Sequence, residues 1–427
     1  MVGSKSLSCQ YFQLQCLSVH QAIDMLGLTT KNSARNIAMI LSRLYRYLPL
    51  LLSAILVCCS QVTAEMPIVG RPAPELGKLD EAMLEFMKEN DISAGSLSVM
   101  KNGQILMHHT YGWQDKQRTE PIREDAMFRV ASVTKPFTAA AIRELIRRGQ
   151  ISLDSKVFRL PGSTDGILRY EPLGKPDPRL KDITVDHLLQ HRGGWDRDIV
   201  GDLTYREKQI AQAFGVASPP GREKTVRYIM GQPLQHDPGT KRSYSNIGFL
   251  LLGLIVEEVS GQSYQQYLHR HVMHPAGIAS NNWLLGRTFK KDQSPREPYY
   301  DNNEVVDNVF YPTHSTKRQV KRPYGGFDVE ARTSQGRLVA SGVAILGFLD
   351  RYQVNGPNIG GPRPAPGNWK WNHSGSLPGT NAVARQRGDG INFVVLFNKR
   401  PEGGNYATMM REKLDALFDE GEVLSGN

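Results

Sequence analysis

Ser132-Val133-Thr134-Lys135 opens the most strongly patterned helical stretch of this 427-residue chain. In the residues that follow, apolar side chains recur at helical spacing and charged side chains occupy the opposite face. Gly149 is a typical residue to end the helix. A spacing of i and i+3 on a helix places the Ser132 and Lys135 side chains on one face. Because a serine hydroxyl is a weak nucleophile until a base takes its proton, the two residues are a candidate nucleophile with its base or proton shuttle.

A second copy of the pattern, Ser98-Val99-Met100-Lys101, tests how specific these four residues are. It falls in a predicted strand that ends at the Asn102-Gly103 turn. Residues i and i+3 of a strand point to opposite faces of the sheet, so this copy cannot form a catalytic pair. The predicted helical position therefore distinguishes Ser132 and Lys135 from the second copy at Ser98 and Lys101.

The composition is that of an ordinary globular protein, with 40% hydrophobic and 22% charged residues, and the length allows one to three domains. Part of the net charge of +10 comes from residues 1–64, which hold five basic residues against one acidic residue. The other basic residues are scattered, with a modest concentration over residues 317–322. The sequence shows no basic stripe interleaved with aromatic residues, so we expect no nucleic-acid partner.

The N-terminal extension, residues 1–64, has the layout of a secretory signal peptide. Arg43 and Arg46 precede an apolar run over residues 48–57, and small residues suited to cleavage end at Ala64. The run has about half the length that a membrane span needs. We therefore predict an exported protein, periplasmic or extracellular, that is cleaved near Ala64 and has no stable membrane span once processed. A retained N-terminal anchor is the alternative.

Two details of the same segment bear on the mature chain. Translation from Met39 would give the usual short basic region before the apolar run, so we predict that the true start is later than Met1. All four cysteines precede Ala64, and the predicted mature chain therefore has no disulfide and no cysteine metal site.

Strand patterns at both ends of the globular part predict one sheet assembled from both termini. Residues 96–111 and residues 381–398 each have the pattern of strand, turn and strand, and an amphipathic helix follows over residues 406–419. Helical segments such as 185–190 and 247–259 lie between them. We predict an α/β (α+β) fold in which an antiparallel sheet is flanked by helices and carries a mainly helical insertion domain.

The predicted boundaries follow from this arrangement. Residues 65–427 form one catalytic unit, with a sheet subdomain over about 75–150 plus 325–427 and a helical subdomain over about 151–324. The loop over residues 280–325 is expected to border the cleft.

Tyr244-Ser245-Asn246 leads directly into the predicted helix over residues 247–259, which is apolar nearly all round and therefore buried. Tyr244 could act as a general base if nearby cations lower its pKa from about 10. Asn246 offers a donor and an acceptor to a substrate amide. The alternative is a buried tyrosine with a bonded hydroxyl and an asparagine that caps the helix.

His373-Ser374-Gly375 comes just before the last predicted hairpin. The small residue and the glycine after His373 would let a substrate lie along this edge strand and pair with its backbone. The alternative is a turn that carries a surface histidine.

Together the three motifs resemble those of the serine β-lactamase and penicillin-binding protein superfamily. The family set of Ser-x-x-Lys, Tyr-x-Asn and (Lys or His)-x-Gly occurs here in family order, as Ser132–Lys135, Tyr244–Asn246 and His373–Gly375. The likeness runs from about residue 75 to residue 420 and implies a β-lactamase/transpeptidase-like fold. Supporting stretches that also resemble the family lie at residues 128–131, 149–154 and 188–194.

The resemblance implies an acyl-enzyme mechanism with no cofactor and no metal. Ser132 would attack an amide or ester carbonyl, while Lys135 and Tyr244 exchange protons with the nucleophile and the leaving group. Which of these two is the acylation base stays open. The backbone N–H groups of Ser132 and Ser376 would form the oxyanion hole. The residues implied to bind substrate are Asn246, His373 and Gly375.

The Tyr-Ser-Asn and His-Ser-Gly variants resemble the class C-like branch with its D-alanyl-D-alanine carboxypeptidase, D-aminopeptidase and esterase relatives. Most β-lactamases carry lysine where His373 stands, and a neutral histidine recognises a carboxylate less strongly. We therefore expect a secreted serine hydrolase of D-amino-acid peptides, with peptidoglycan fragments among the candidates, or of small esters. The alternatives are a penicillin-binding or cell-wall-sensing protein that is acylated and turns over slowly, and a true β-lactamase.

His269-x-His271-x-Met273-His274 matches the metallo-hydrolase pattern His-x-His-x-Asp-His except at Met273. The aspartate is a metal ligand in that pattern, and a thioether is a poor ligand for a hydrolytic zinc. The segment also ends a predicted helical stretch over residues 264–272, where cationic histidines suit the helix dipole. We therefore predict that these histidines bind no metal.

Overall fold

Strands from both ends of the globular chain form one antiparallel sheet, which confirms the predicted fold class. The computed structural model of the protein describes residues 65–421 and 423. The six strands are β1 (Ile68–Gly70), β2 (Ala94–Lys101), β3 (Gln104–Gly112), β9 (Lys370–Leu377), β10 (Thr380–Arg387) and β11 (Ile391–Phe397). Their order across the sheet is β1-β3-β2-β11-β10-β9, so β9 is an edge strand.

Tight turns produce the two predicted hairpins. Asn102 and Gly103 connect β2 to β3 with positive φ angles of 49° and 82°, the backbone twist that two-residue hairpin turns favour. Residues 388–390 connect β10 to β11. The two hairpins pair with each other through β2 and β11, where Gly95 lies opposite Phe397. Sequence-distant parts of the chain thus meet at the centre of the sheet.

Helices account for most of the remaining described structure, and several are linked by short 3-10 turns. In chain order they are α1 (Gly77–Glu89), α2 (Thr134–Arg147), α3 (Val185–Leu189), α4 (Arg197–Val200), α5 (Glu207–Phe214), α6 (Gly221–Met230), α7 (Asn246–Ser260), α8 (Tyr264–Leu268), α9 (Gly342–Arg351) and α10 (Tyr406–Asp419). The predicted helices at 185–190, 247–259 and 406–419 correspond to α3, α7 and α10.

The sheet is covered on both faces because its central strands are apolar on both sides. Phe393 and Val395 of β11 belong to a core formed with α1 and α10, whereas Val394 and Leu396 belong to the core that includes α9. Alternate side chains of one strand point to opposite faces, so this division follows from the pleat. The larger of the two cores extends into α2 and α7.

Packing of α2 against α7 brings the two predicted catalytic motifs together. Every residue of α7 from Ile247 to Val256 is buried, as its all-round apolar sequence predicts. Within residues 65–421, no helix is long and apolar enough to cross a membrane.

Short strands complete the fold around the start of α2. A second sheet, in the order β4-β8-β5, joins β4 (Phe128–Arg129), β5 (Trp283–Leu285) and β8 (Leu338–Ala340). A small hairpin of β6 (Val305–Asp307) and β7 (Gln319–Lys321) lies within the predicted 280–325 loop.

Several predictions from the sequence are not tested by the described part of the chain. The signal peptide with cleavage near Ala64, the later start at Met39 and the N-terminal cysteines lie outside the described residues. The subdomain boundaries at about 75–150 plus 325–427 and 151–324 stay predictions.

Candidate active site

Ser132 lies in a 3-10 turn, Ala131–Val133, between β4 and α2. Ala131 adopts a positive φ of 48°, a conformation that is uncommon for a residue with a side chain. The edge strand β9 passes close to this turn at Gly375. A Cβ at Gly375 would collide with the Val130 carbonyl oxygen and would lie 3.0 Å from the Ser132 nitrogen. The absence of a side chain at Gly375 therefore lets β9 lie directly beside the candidate nucleophile.

Lys135 is fully buried one turn after Ser132, as the helical spacing predicts. Its Nζ lies 3.1 Å from Ser132 Oγ, 2.7 Å from Asn246 Oδ1 and 2.7 Å from the carbonyl oxygen of Gln335. Burial lowers the Lys135 pKa to about 7, and the nearby Arg197 acts in the same direction while Asp202 opposes it. A neutral amine has two N–H groups and one lone pair. With both N–H groups donated to carbonyl oxygens, the lone pair is left for the Ser132 hydroxyl.

Tyr244 donates a hydrogen bond from its hydroxyl to Ser132 Oγ at 2.7 Å. The sequence argument allowed Tyr244 to be a base if cations lowered its pKa. Burial instead raises the Tyr244 pKa to about 12, although the Ser132 bond and Arg197 oppose that rise. The Arg197 guanidinium lies 4.6 Å from the centre of the Tyr244 ring. Tyr244 is therefore a neutral phenol at neutral pH, and Lys135 is the better-suited base of the two.

His191 orients the loop that carries Tyr244. Its Nδ1 accepts a hydrogen bond from the Ser245 backbone N–H at 3.1 Å, and its ring centre lies 4.7 Å from that of Tyr244. Burial holds the His191 pKa well below its usual range, so the ring is a neutral acceptor. The sequence marked residues 188–194 only as a supporting stretch. His191 itself has a positive φ of 57° within this stretch.

Asn246 connects Lys135 to a carboxylate that the sequence did not reveal. Asn246 Nδ2 donates to Asp202 Oδ2 at 2.6 Å, and the other Asp202 oxygen accepts from the backbone N–H of Thr204. These bonds fix the orientation of the Asn246 amide, which keeps one N–H and one lone pair for a substrate. The helix-capping role falls to Ser245, whose Oγ accepts from the Gly248 N–H.

His373 lies on β9 beside the same centre and is uncharged. Its Nδ1 lies 3.0 Å from the Ser374 carbonyl oxygen, so Nδ1 carries the proton and Nε2 is the acceptor. Burial, together with the positive charge of the nearby Lys135, lowers the His373 pKa to about 3. His373 can therefore position a polar group, but it offers no positive charge to an anion.

A cleft of about 710 Å³ opens over these residues. All the predicted site residues except the buried Lys135 and Gly375 line this cleft: Ser132, Tyr244, Asn246, His373 and Ser376. The cleft is rich in positive charge, because five arginines line it whereas Asp202 is the one carboxylate among its described lining residues. The arginines are Arg197, Arg242, Arg322, Arg332 and Arg400. Arg322 comes from the 280–325 loop, which therefore borders the cleft as expected.

The histidines of the metallo-hydrolase-like pattern have separate neighbours. The His269 ring stacks on Trp283 at 6.1 Å, and His271 Nδ1 accepts from the Arg148 guanidinium at 3.0 Å. Among residues 65–421, no three His, Cys, Asp or Glu side chains are grouped so as to hold a metal ion. The segment from His269 to Met273 is a π-helical turn that continues α8.

In a comparison with known protein families, residues 79–418 match the family described as Beta-lactamase. The chain belongs to the beta-lactamase family. The predicted resemblance to serine β-lactamases and penicillin-binding proteins is thereby confirmed, and the match spans every residue of the three motifs.

Curated relatives of this beta-lactamase-family chain have varied names. The putative fimbrial assembly protein FimD, serogroup D, of Dichelobacter nodosus is 31% identical over 256 residues, 59% of this chain and 58% of that protein. Esterase EstB of Burkholderia gladioli is 30% identical over 232 residues, 52% of this chain and 54% of the esterase. Protein flp of Staphylococcus aureus (strain MW2) is 28% identical over 202 residues, 46% of this chain and 36% of that protein. The chain thus spans less than two thirds of each relative.

Solved structures share the fold of this family member at low sequence identity. The octameric penicillin-binding protein homologue from Pyrococcus abyssi has a TM-score of 0.57 at 23% identity and covers 81% of this chain and 77% of its own. D-amino acid amidase from Ochrobactrum anthropi SV3, complexed with L-phenylalanine amide, has a TM-score of 0.54 at 18% identity and covers 80% and 98%. A class C beta-lactamase has a TM-score of 0.54 at 17% identity and covers 83% and 97%. These likenesses show the common fold.

Proposed function

We propose that the protein is an exported serine hydrolase that cleaves amide or ester bonds through an acyl-enzyme on Ser132. D-amino-acid peptides and small esters are the proposed substrates. The observation that carries the proposal is the placement of Ser132 Oγ between Lys135 Nζ at 3.1 Å and the Tyr244 hydroxyl at 2.7 Å. The signal-peptide pattern before Ala64 supports export, and the names of the esterase and amidase relatives support the substrate classes.

Acylation begins with proton transfer from Ser132 to Lys135. The neutral amine accepts the hydroxyl proton as Ser132 Oγ attacks the carbonyl carbon, and the new oxyanion is held by the backbone N–H groups of Ser132 and Ser376. The leaving amine or alkoxide needs one proton. Two acids lie within reach of Oγ, the Lys135 ammonium and the Tyr244 phenol, and the proton lost by Ser132 passes to the leaving group through them.

Deacylation uses the same groups in the opposite order. A water molecule attacks the acyl carbon, its proton passes to neutral Lys135, and Ser132 Oγ departs as a hydroxyl after recovering a proton. Asn246 and Gln335 hold the Lys135 amine in place during both half-reactions, because each accepts one of its N–H groups at 2.7 Å. No proton is gained or lost by the enzyme over a full cycle.

Two measurements distinguish the proposed hydrolase from a penicillin sensor that turns over slowly: turnover is expected of the hydrolase and stable acylation of the sensor. We expect continuous release of p-nitrophenol from p-nitrophenyl esters and of ammonia from D-amino acid amides, with the acyl-enzyme seen only transiently by intact mass. A fluorescent penicillin should label Ser132 and be released slowly. Stable labelling without turnover of any ester or amide would instead favour the sensor, and absence of both labelling and turnover would reject serine chemistry.

The pH dependence of acylation should follow the titration of Lys135. Since the base is active only when neutral and its pKa is about 7, kcat/KM for an uncharged ester should rise about tenfold between pH 6 and pH 8 and then level off. The measurement is kcat/KM for p-nitrophenyl hexanoate at constant ionic strength. A profile that keeps rising towards pH 10 would show that Lys135 is not the group whose deprotonation activates Ser132.

A further inference from the structure

A second cavity, here called the loop cavity, is formed by the 280–325 loop alone. Its volume is about 890 Å³, against about 710 Å³ for the cleft that contains Ser132, and the two have no lining residue in common. The segment between β6 and β7 supplies most of its wall, and residues 289–291 supply another part. The loop cavity is therefore a separate concave surface, and the proposed reaction at Ser132 does not use it.

The loop cavity is positively charged. Lys290, Lys291, Lys317 and Lys321 line it, and its described lining residues include no carboxylate. Within residues 65–421, the ammonium groups of Lys290, Lys291 and Lys317 make no hydrogen bond and no ion pair to a protein group. Lys321 Nζ donates to a neutral backbone carbonyl at 2.7 Å. Part of the basic concentration over residues 317–322 thus faces a cavity whose positive charge has no anionic partner.

Two sets of contacts hold these cations in place. The buried Asn308 donates from Nδ2 to the Lys317 carbonyl oxygen at 2.9 Å, and its backbone N–H donates to the carbonyl of the next residue at 2.9 Å. The ammonium groups of Lys290 and Lys116 lie 5.3 Å and 5.8 Å from the centre of the Tyr299 ring, close enough for cation–π attraction. The cavity wall and its charge are therefore in position without a bound ligand.

Hydroxyl groups and aromatic rings make up much of the remaining lining. In the described part of the chain, the hydroxyls of Thr313, Thr316 and Tyr299 make no hydrogen bond to a protein group. Phe289 and Tyr324 also line the cavity, and the Tyr324 hydroxyl accepts from a backbone N–H at 2.7 Å, which fixes its ring. Sugars match such a lining, because they combine hydroxyl groups with C–H faces that pack on aromatic rings.

We propose that the loop cavity binds an acidic glycan, a sugar chain that carries carboxylate or phosphate groups. Its anionic groups pair with the lysines, while its hydroxyls and ring faces contact the threonines and the aromatic rings. A flat lipid surface cannot enter a cavity. A single-stranded nucleic acid is favoured by a long basic groove with interleaved aromatic residues, which the sequence lacks. The site goes beyond the proposed hydrolysis, since binding there requires no chemistry at Ser132.

Paired oligosaccharides test the proposal. Oligogalacturonate carries a carboxylate on every sugar, and its methyl ester of equal length has the same rings without the charge. Phosphorylated dextran oligosaccharide and unmodified dextran form a second pair, in which the charge is a phosphate. Calorimetric titration gives the Kd of each probe. We expect at least one acidic member to bind at least about tenfold more tightly than its neutral twin, and the preferred acid identifies the anionic group.

A pair of double variants locates the binding. Lys290→Gln/Lys317→Gln should raise the Kd of the acidic glycan about 3- to 30-fold, the loss expected for two exposed ion pairs. Lys175→Gln/Lys181→Gln is the matched control, because it removes the same charge from two exposed lysines outside the loop cavity. The control should leave the Kd unchanged, and so should Ser132→Ala. Thermal unfolding of each variant verifies that it is folded.

Three results would overturn the site. They are equal affinity for the acidic and neutral twins, equal losses in the two double variants, and tighter binding of an oligodeoxythymidylate or of inorganic polyphosphate than of either acidic glycan. The last result would show attraction of any polyanion without recognition of sugar. Failure of the hydrolase proposal looks different, because esters would then not be turned over, whereas glycan binding is measured without turnover and also in Ser132→Ala.

Discussion

Replacement of Ser132 by alanine is expected to abolish ester and amide turnover, with a loss in kcat of at least about 10⁴-fold. The reason is that Ser132 Oγ is the one atom to which both Lys135 Nζ and the Tyr244 hydroxyl are directed at bonding distance. Without it, no covalent intermediate forms and the remaining groups can only polarise a bound substrate. The measurements are steady-state kinetics and intact mass after incubation with a fluorescent penicillin.

Ser98→Ala is the matched control for this loss. Ser98 begins the second Ser-x-x-Lys copy, is fully buried in β2 and bonds to His108 Nδ1 at 2.7 Å. Its replacement should alter stability slightly and leave turnover in place, because it lies away from the cleft. Retention of more than about a hundredth of wild-type kcat by Ser132→Ala, after exclusion of contaminating esterase, would contradict nucleophilic catalysis by Ser132.

Replacement of Lys135 by methionine should lower kcat/KM by about 10³-fold or more, since it removes the proposed base while filling the same volume. The substitution should also change how stability depends on pH. In the unfolded chain Lys135 stays protonated to about pH 10.4, whereas in the folded protein it loses its proton near pH 7. Between these values the unfolded state binds more protons, so the wild-type protein gains stability as the pH rises.

Chemical denaturation of both proteins at two pH values measures this linkage. The free energy of unfolding of wild type, relative to Lys135→Met, should increase by about 2 kcal/mol between pH 7.5 and pH 9. Parallel pH profiles of the two proteins would show that Lys135 keeps an ordinary pKa. Such a result, combined with a flat activity profile near pH 7, would move the role of base to another group.

Local sequence patterns were sufficient for the framework of the site. The period-2 alternation and the Asn102-Gly103 turn predicted the first hairpin, and helical periodicity predicted α7 and α10 within one residue at each end. The Ser132 and Lys135 pairing is also local, because it depends only on the geometry of one helical turn. Three motifs in family order then placed Tyr244 and His373 at the same centre.

The remaining parts of the site depend on contacts between distant segments. Asp202, which accepts from Asn246, and the Gln335 carbonyl, which accepts from Lys135, lie on segments that have no motif of their own. The pKa of Tyr244 is another case: the sequence offered a buried tyrosine as one alternative, but it could not show that burial outweighs the effect of nearby cations on this pKa.

The central pairing of β2 with β11 also determines when the candidate active site can form. Gly375 reaches the turn that carries Ser132 only as part of β9, which is attached to the sheet through β10 and β11. The N-terminal hairpin is synthesised almost 300 residues before β11, and α2 about 250 residues before it. A nascent chain therefore contains its candidate nucleophile long before it contains the strand beside it, and the candidate active site stays incomplete until the last hairpin has been made and docked.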